Sequence, residues 1–133
     1  MSRPSDEQLE ALVIAAREAR VNAYAPYSNF AVGAALLAGG RIFTGVNIEN
    51  ASYPVSVCAE RNAVAAAVTA GERAIDAVAV IADAFVITPP CGACRQVLHE
   101  FGPAMLVVCA QMNGASMEWT LQELLPHAFT LER

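Results

Sequence analysis

Two short stretches hold the residue types best suited to bind a metal and move a proton: Cys58-Ala59-Glu60 and Pro90-Cys91-Gly92-Ala93-Cys94. Each falls where a helical pattern begins after a loop. The unpaired N–H groups and positive dipole end of a helix start favour thiolate over thiol, so these cysteines should bind a soft-tolerant cation, with zinc the natural candidate. Cys91 and Cys94, at i and i+3, share a helical face and can take neighbouring corners of one tetrahedron, with Cys58 as third ligand. Glu60, two positions beyond Cys58, lies on another face of the same turn, where it is a poor ligand but can still reach the fourth corner. Water at that corner would be polarised by the metal, and Glu60 could take its proton and hand it on. Three thiolates also concentrate negative charge. Arg61 and Arg95 each follow a ligand closely, and at least one is expected to hydrogen-bond a thiolate.

Plainer readings compete with each of these. Taken alone, the Cys91-x-x-Cys94 pair fits a redox dithiol or a closed structural zinc knot better than a catalytic site. The added Cys58-x-Glu60 reverses that preference. A structural site of four cysteines would need Cys109, but that thiol sits inside the apolar run Met105–Ala110 and reads as core. His99 and His127 lack ligand spacing with the cysteines and read as bystanders. Before any likeness is weighed, Asn47 and Glu49 fit the end of a hairpin strand as well as a ligand site, and Phe30 and Phe129 fit a core.

The elements that position these residues follow from periodicity and punctuation. Ser5 with Gln8 matches a capping box, and Leu9, Leu12, Val13 and Ala16 recur at helical spacing, which predicts a helix to about Asn22. Ala31–Ala38 and Arg41–Ile48 flank Gly39-Gly40 and predict an antiparallel hairpin. The segment from Asn50 to Val57, with Pro54, reads as a loop that delivers the chain to an Ala-rich helix ended by Gly71. Small side chains on several faces of that helix also suit close packing across subunits. Ile75–Ala82 predicts a strand, Cys91 to Gly102 a helix, Met105–Ala110 a strand, Met117–Thr120 a short strand, and Leu121–Leu125 a final helical turn stopped by Pro126. Helices interleaved with strands predict a layered α/β domain with a mixed sheet.

A chain of 133 residues fits one domain, expected over 1–133, and one site must carry its function. With 56% apolar and 16% charged residues, some apolar surface is expected to face other subunits. A net charge of −5 without a basic cluster disfavours a nucleic-acid partner. No stretch resembles a signal peptide or reaches the roughly 18 apolar residues of a membrane span, so a cytoplasmic, membrane-free protein is expected. In a reducing compartment four cysteines are more readily ligands or core than disulfides.

Together, Asn47-Ile48-Glu49-Asn50, Ser52-Tyr53-Pro54, Cys58-Ala59-Glu60-Arg61 and Pro90-Cys91-Gly92-Ala93-Cys94-Arg95-Gln96 closely resemble the small homotetrameric zinc-dependent cytidine deaminases. Tyr27 through Leu36 and Leu124 through Phe129 resemble them too, so the likeness covers nearly the whole chain. It implies a three-layer α/β/α fold with a five-stranded mixed sheet, one Zn²⁺ on Cys58, Cys91 and Cys94, and Glu60 as proton shuttle. It further implies Phe30 against the pyrimidine, Asn47 and Glu49 on the ribose hydroxyl, and the Ala59 backbone on the base. Tyr53 and Phe129 would act across subunit contacts of a tetramer with composite sites. The implied activity is hydrolytic deamination of cytidine and 2′-deoxycytidine. The nearest rival is a related deaminase for another cytosine nucleoside, such as blasticidin S; a structural-zinc module without turnover is the rival from another class. Thr88-Pro89-Pro90 and Asn62 depart from the family's commonest wording and bear on the shape of the loop before Cys91.

Overall fold

The computed structural model describes residues 3–132; positions 1, 2 and 133 of the expected domain lie outside the described residues. Chain order is α1 (Asp6–Arg20), β1 (Val32–Ala38), β2 (Arg41–Val46), α2 (Ala59–Thr69), β3 (Ala77–Ala82), α3 (Gly92–Phe101), β4 (Leu106–Gln111), β5 (Ser116–Thr120) and α4 (Leu121–Leu124). The strands form one mixed sheet in the order β2-β1-β3-β4-β5. β3 and β4 are parallel and the other neighbours antiparallel. The three-layer α/β/α architecture predicted above is the one observed.

Local chemistry accounts for the element ends. Ser5 caps α1, its Oγ accepting the Gln8 N–H while the Gln8 side chain accepts the Ser5 N–H. At Gly39-Gly40 both residues have positive φ, 58° and 73°, as a primed hairpin turn requires. β2 leaves the sheet at Val46, earlier than the sequence pattern suggests, because the next residues find other partners: Tyr24 N–H donates to Asn47 O, and Ile48 exchanges backbone bonds with Val57. β3 begins at Ala77 rather than Ile75, since the Ile75 N–H is taken by Phe101 O at the end of α3. Ile75 is nonetheless buried.

Alternation along the strands divides the core between the two sheet faces. Leu9, Leu12 and Ala16 of α1 pack on Ala35, Leu37, Ala79, Ile81 and Val108 on one side. Ala59, Ala63 and Ala67 of α2, with Leu98 of α3 and Leu121 of α4, pack on Leu36, Val78, Val80 and Val107 on the other. β2 and β3 both run antiparallel to β1, so they point the same way, and the helices that follow them, α2 and α3, start at the same end of the sheet. That topology brings two helix N-termini together, at the carboxyl ends of strands where open α/β sheets bind ligands.

How closely α2 can approach depends on Gly45. A Cβ there would stand 2.4 Å from Ala63 N and 2.5 Å from Ala59 O, both backbone atoms that cannot rotate away. Gly45→Ala should push α2 off the sheet and lower stability by about 1–3 kcal/mol or more. Urea unfolding checks this, and an unchanged midpoint would contradict the close approach.

Candidate active site

Cys58 and Cys91 occupy equivalent places, each the N-cap of its helix, with extended backbone (φ −70°, ψ 154° and φ −64°, ψ 166°). Neither side chain makes a capping bond to its own helix. Cys94, one turn into α3, is buried. The three Sγ atoms lie within 4.8 Å of one another. Sulfurs at two corners of a tetrahedral zinc stand about 3.8 Å apart, given a Zn–S length of about 2.3 Å. The donor set therefore fits zinc by type, number and spacing.

Proton affinities are uneven within the triad. Cys94 hydrogen-bonds the Cys58 sulfur, and with help from Arg61 this pulls the Cys58 thiol down to about 5 against the opposing effect of burial. Cys94 is pushed up by the same hydrogen bond and by burial. A shared proton is thus held mainly by one sulfur of the set, and a metal must displace it. Cys109 stands apart from this cluster. It lies on β4 at 1% exposure among Val78, Val80 and Val107, where burial pushes its thiol up to about 12.

Glu60 is one of only two buried polar side chains among the described residues, at 6% exposure. Desolvation raises its pKa, opposed by its own backbone N–H; Cys58's charge raises it further. It lines a cavity of about 330 Å³ together with Cys58, Ala59 and Cys91. The walls are Phe30, Val32, Asn47, Val80, Ala82 and the segment Thr88-Pro89-Pro90. A mostly apolar pocket of this size with one carboxyl and a thiol cluster in its lining suits a small polar ligand. Ala59, at the first position of α2, contributes an N–H that the helix itself cannot satisfy.

The isolated Ile48–Val57 bridge ties the segment after β2 to the residue before Cys58, and of its two flanking polar residues Asn47 borders the cavity. The Asn47 amide is engaged at both ends, Oδ1 accepting from Val32 N–H at 2.9 Å and Nδ2 donating to Phe30 O at 2.7 Å. It therefore braces the cavity wall. Glu49 lies elsewhere, in a neighbouring cavity of about 400 Å³ with Tyr27, Ser28, Tyr53 and Ser56. Its carboxylate accepts from the Ser28 hydroxyl and from the Tyr27 and Ser28 N–H groups, which holds its pKa below the ordinary value. Asn47→Ala should cost about 1–2 kcal/mol for the two lost backbone bonds and raise the KM for a pocket ligand. Urea unfolding and steady-state kinetics check it; no change in either would show that the brace is unimportant.

The two arginines part company. Arg61 approaches the Cys58 sulfur at 4.0 Å and donates to Ser56 O at 3.3 Å, while its Nε is buried without a partner. Arg95 turns from the sulfurs to two carbonyls, those of Pro90 and Leu124. Tyr53 and Phe129 are 71% and 69% exposed and line no part of the cavity beside Glu60. Tyr53 meets the Tyr27 ring edge-on at 6.1 Å, and the Phe129 backbone is clasped by the Gln96 side chain. His99 and His127 line a separate cavity away from the thiols. Sequence reading missed the wall residues Val32, Val80 and Ala82, because nothing in an apolar strand pattern marks which side chain borders a cavity. Asn62, expected to bear on the loop before Cys91, instead donates through Nδ2 to Val46 O at 2.7 Å, at the strand end before Asn47.

Comparison with known proteins agrees with this geometry. Residues 6–110 match the family model described as the cytidine and deoxycytidylate deaminase zinc-binding region. A cytidine deaminase of Halalkalibacterium halodurans is 50% identical over 123 residues, 91% of this chain and 93% of that protein. The crystal structure of a cytidine deaminase from Burkholderia pseudomallei superposes with a TM-score of 0.87 at 48% identity, covering 90% of this chain and 98% of the other. A blasticidin-S deaminase of Bacillus cereus is more distant, at 32% identity over 74% of this chain and 76% of that protein. With the thiol triad and buried glutamate placed as described, the chain belongs to the cytidine and deoxycytidylate deaminase family and carries its zinc-binding region.

Proposed function

We propose that the protein hydrolyses cytidine and 2′-deoxycytidine to uridine and 2′-deoxyuridine, releasing ammonia. The observation that carries this reading is the buried Glu60 carboxyl on the same small cavity as the Cys58, Cys91 and Cys94 cluster. Cys58, Cys91 and Cys94 hold zinc, which when bound supplies Lewis-acid activation of water. Glu60 would accept one proton from water at its carboxylate and pass it to the pyrimidine ring nitrogen, then take the second from the hydroxyl added at C4 and pass it to the departing amine, so that both water protons are accounted for. Its raised pKa suits the role, since a carboxyl that gives up and regains a proton near neutrality must not be too strong an acid. Phe30, Val32 and Pro90 exclude water and orient the base, and the Ala59 N–H is available to it. Asn47 and Glu49 are assigned to the sugar, a ribose hydroxyl taking the place of the Ser28 hydroxyl on the Glu49 carboxylate and Asn47 holding the adjoining wall.

Several large apolar side chains support assembly: Tyr53, Val55, Phe85, Val86 and Phe129 are all exposed in the single chain. The reading extends to a cytoplasmic homotetramer in which Tyr53 and Phe129 complete neighbouring sites. No helix among the described residues is long and apolar enough to cross a membrane. An ammonia-release panel over cytidine, deoxycytidine, cytosine, CMP, adenosine and blasticidin S tests the substrate. Turnover confined to blasticidin S, or absent throughout, would overturn the reading. Sedimentation analysis tests the tetramer, and a monomer fully active at all concentrations would remove the composite site.

A further inference from the structure

Pro89 and Pro90 form a wall of the cavity immediately before a metal-ligating residue, yet neither has an N–H with which to fasten itself to the fold. Pro90 is buried and must be held through its carbonyl. That carbonyl accepts a 2.7 Å hydrogen bond from Arg95 Nε, and the same guanidinium donates through Nη1 to Leu124 O, also at 2.7 Å. Bonds from a charged donor at this length are strong, and the planar fork fixes the two carbonyls relative to each other. Leu124 ends the four-residue α4, where carbonyls lack helical partners. α4 is itself anchored, with Leu121 fully buried, its N–H bonded to Met105 O and Leu124 packed against the main core. Arg95 therefore ties the loose wall to a rigid element.

We propose that Arg95 is a positioning residue for this site, setting the Thr88–Pro90 wall and the Cys91 N-cap through the Pro90 carbonyl. It acts by bridging two carbonyls and not by lending charge to the sulfurs, the position Arg61 holds. A lysine keeps the charge but replaces the rigid two-nitrogen fork with a single nitrogen on a flexible stem, which does not fix two acceptors relative to each other. Hence Arg95→Lys and Arg95→Met should behave alike. In both, transfer of zinc to a chromogenic chelator from the loaded enzyme should be about tenfold faster, and KM for cytidine about tenfold higher with a much smaller change in kcat. Wild-type values in Arg95→Lys alone would mean that charge is what matters, and wild-type values in both would remove the role altogether; either overturns the proposal. Should the variants fail to fold, exchange of the Arg95 Nε–H in the wild-type enzyme decides instead. The bridge predicts clear protection, and exchange as fast as free arginine would overturn it. The substrate readout rests on the proposed deamination. If no nucleoside is turned over by the wild type, that reading fails, while chelator transfer still tests Arg95 independently.

Discussion

Glu60→Ala is expected to lower cytidine turnover by about 10²- to 10⁴-fold while the protein keeps its zinc. The two halves of this outcome have separate causes. Zinc retention follows because the thiol cluster comprises Cys58, Cys91 and Cys94 alone, and Glu60 is not part of it. Loss of turnover follows because, among the described residues, Glu60 is the only carboxylate bordering the cavity, and the Thr88 hydroxyl there is committed to the Val86 carbonyl. Glu60→Gln keeps the shape and should be nearly as inactive. Metal analysis alongside ammonia release checks both halves; substantial activity in Glu60→Gln would overturn the shuttle assignment.

The same pair of proteins yields a pH result. Burial raises the Glu60 pKa, so in metal-free protein the neutral carboxyl favours folding at low pH. That advantage is lost as pH rises from the ordinary glutamate range, about 4, through the raised one. Metal-free wild type should therefore lose stability relative to metal-free Glu60→Gln as pH rises. Parallel stability curves would count against a buried, ionisable Glu60.

The second large effect separates the four cysteines. Cys94→Ser should lose zinc and, with it, essentially all activity, because a hydroxyl replaces a thiolate at the one fully buried ligand. Cys58→Ser and Cys91→Ser should follow, the exposed Cys91 least severely in stability. Cys109→Ser should keep metal and turnover, at a cost of about 1–3 kcal/mol for setting a hydroxyl among apolar side chains. Zinc content and urea unfolding of the four variants decide it. If Cys109→Ser released the metal, a structural site of four cysteines would replace the open one.

Much of this was legible before any coordinates. The capping box at Ser5, the Gly39-Gly40 turn and the helix starts at Cys58 and Cys91 are local events, set by side chains within a few residues of one another, and each appears where the pattern predicts. Errors gathered where distant partners compete for the backbone. β2 stops at Val46 because Tyr24 and Val57 claim the following residues, and β3 starts at Ala77 because Phe101 claims Ile75. Strand alternation could mark Val80 and Ala82 as inward-facing but not as lining a cavity.

By itself the sequence determined the ligand types, their spacing at 91 and 94, and a carboxylate two residues past a cysteine, since metal chemistry and helical periodicity fix what such neighbours can do. Tertiary structure decided the rest. The direction shared by β2 and β3 brings Cys58 to Cys91 and Cys94, and burial converts Glu60 from a first-turn acid into one with raised proton affinity. It also decided the arginines, sending Arg61 to a sulfur and Arg95 to the carbonyls of Pro90 and Leu124, because which acceptors a long side chain meets depends on chain segments far away in sequence.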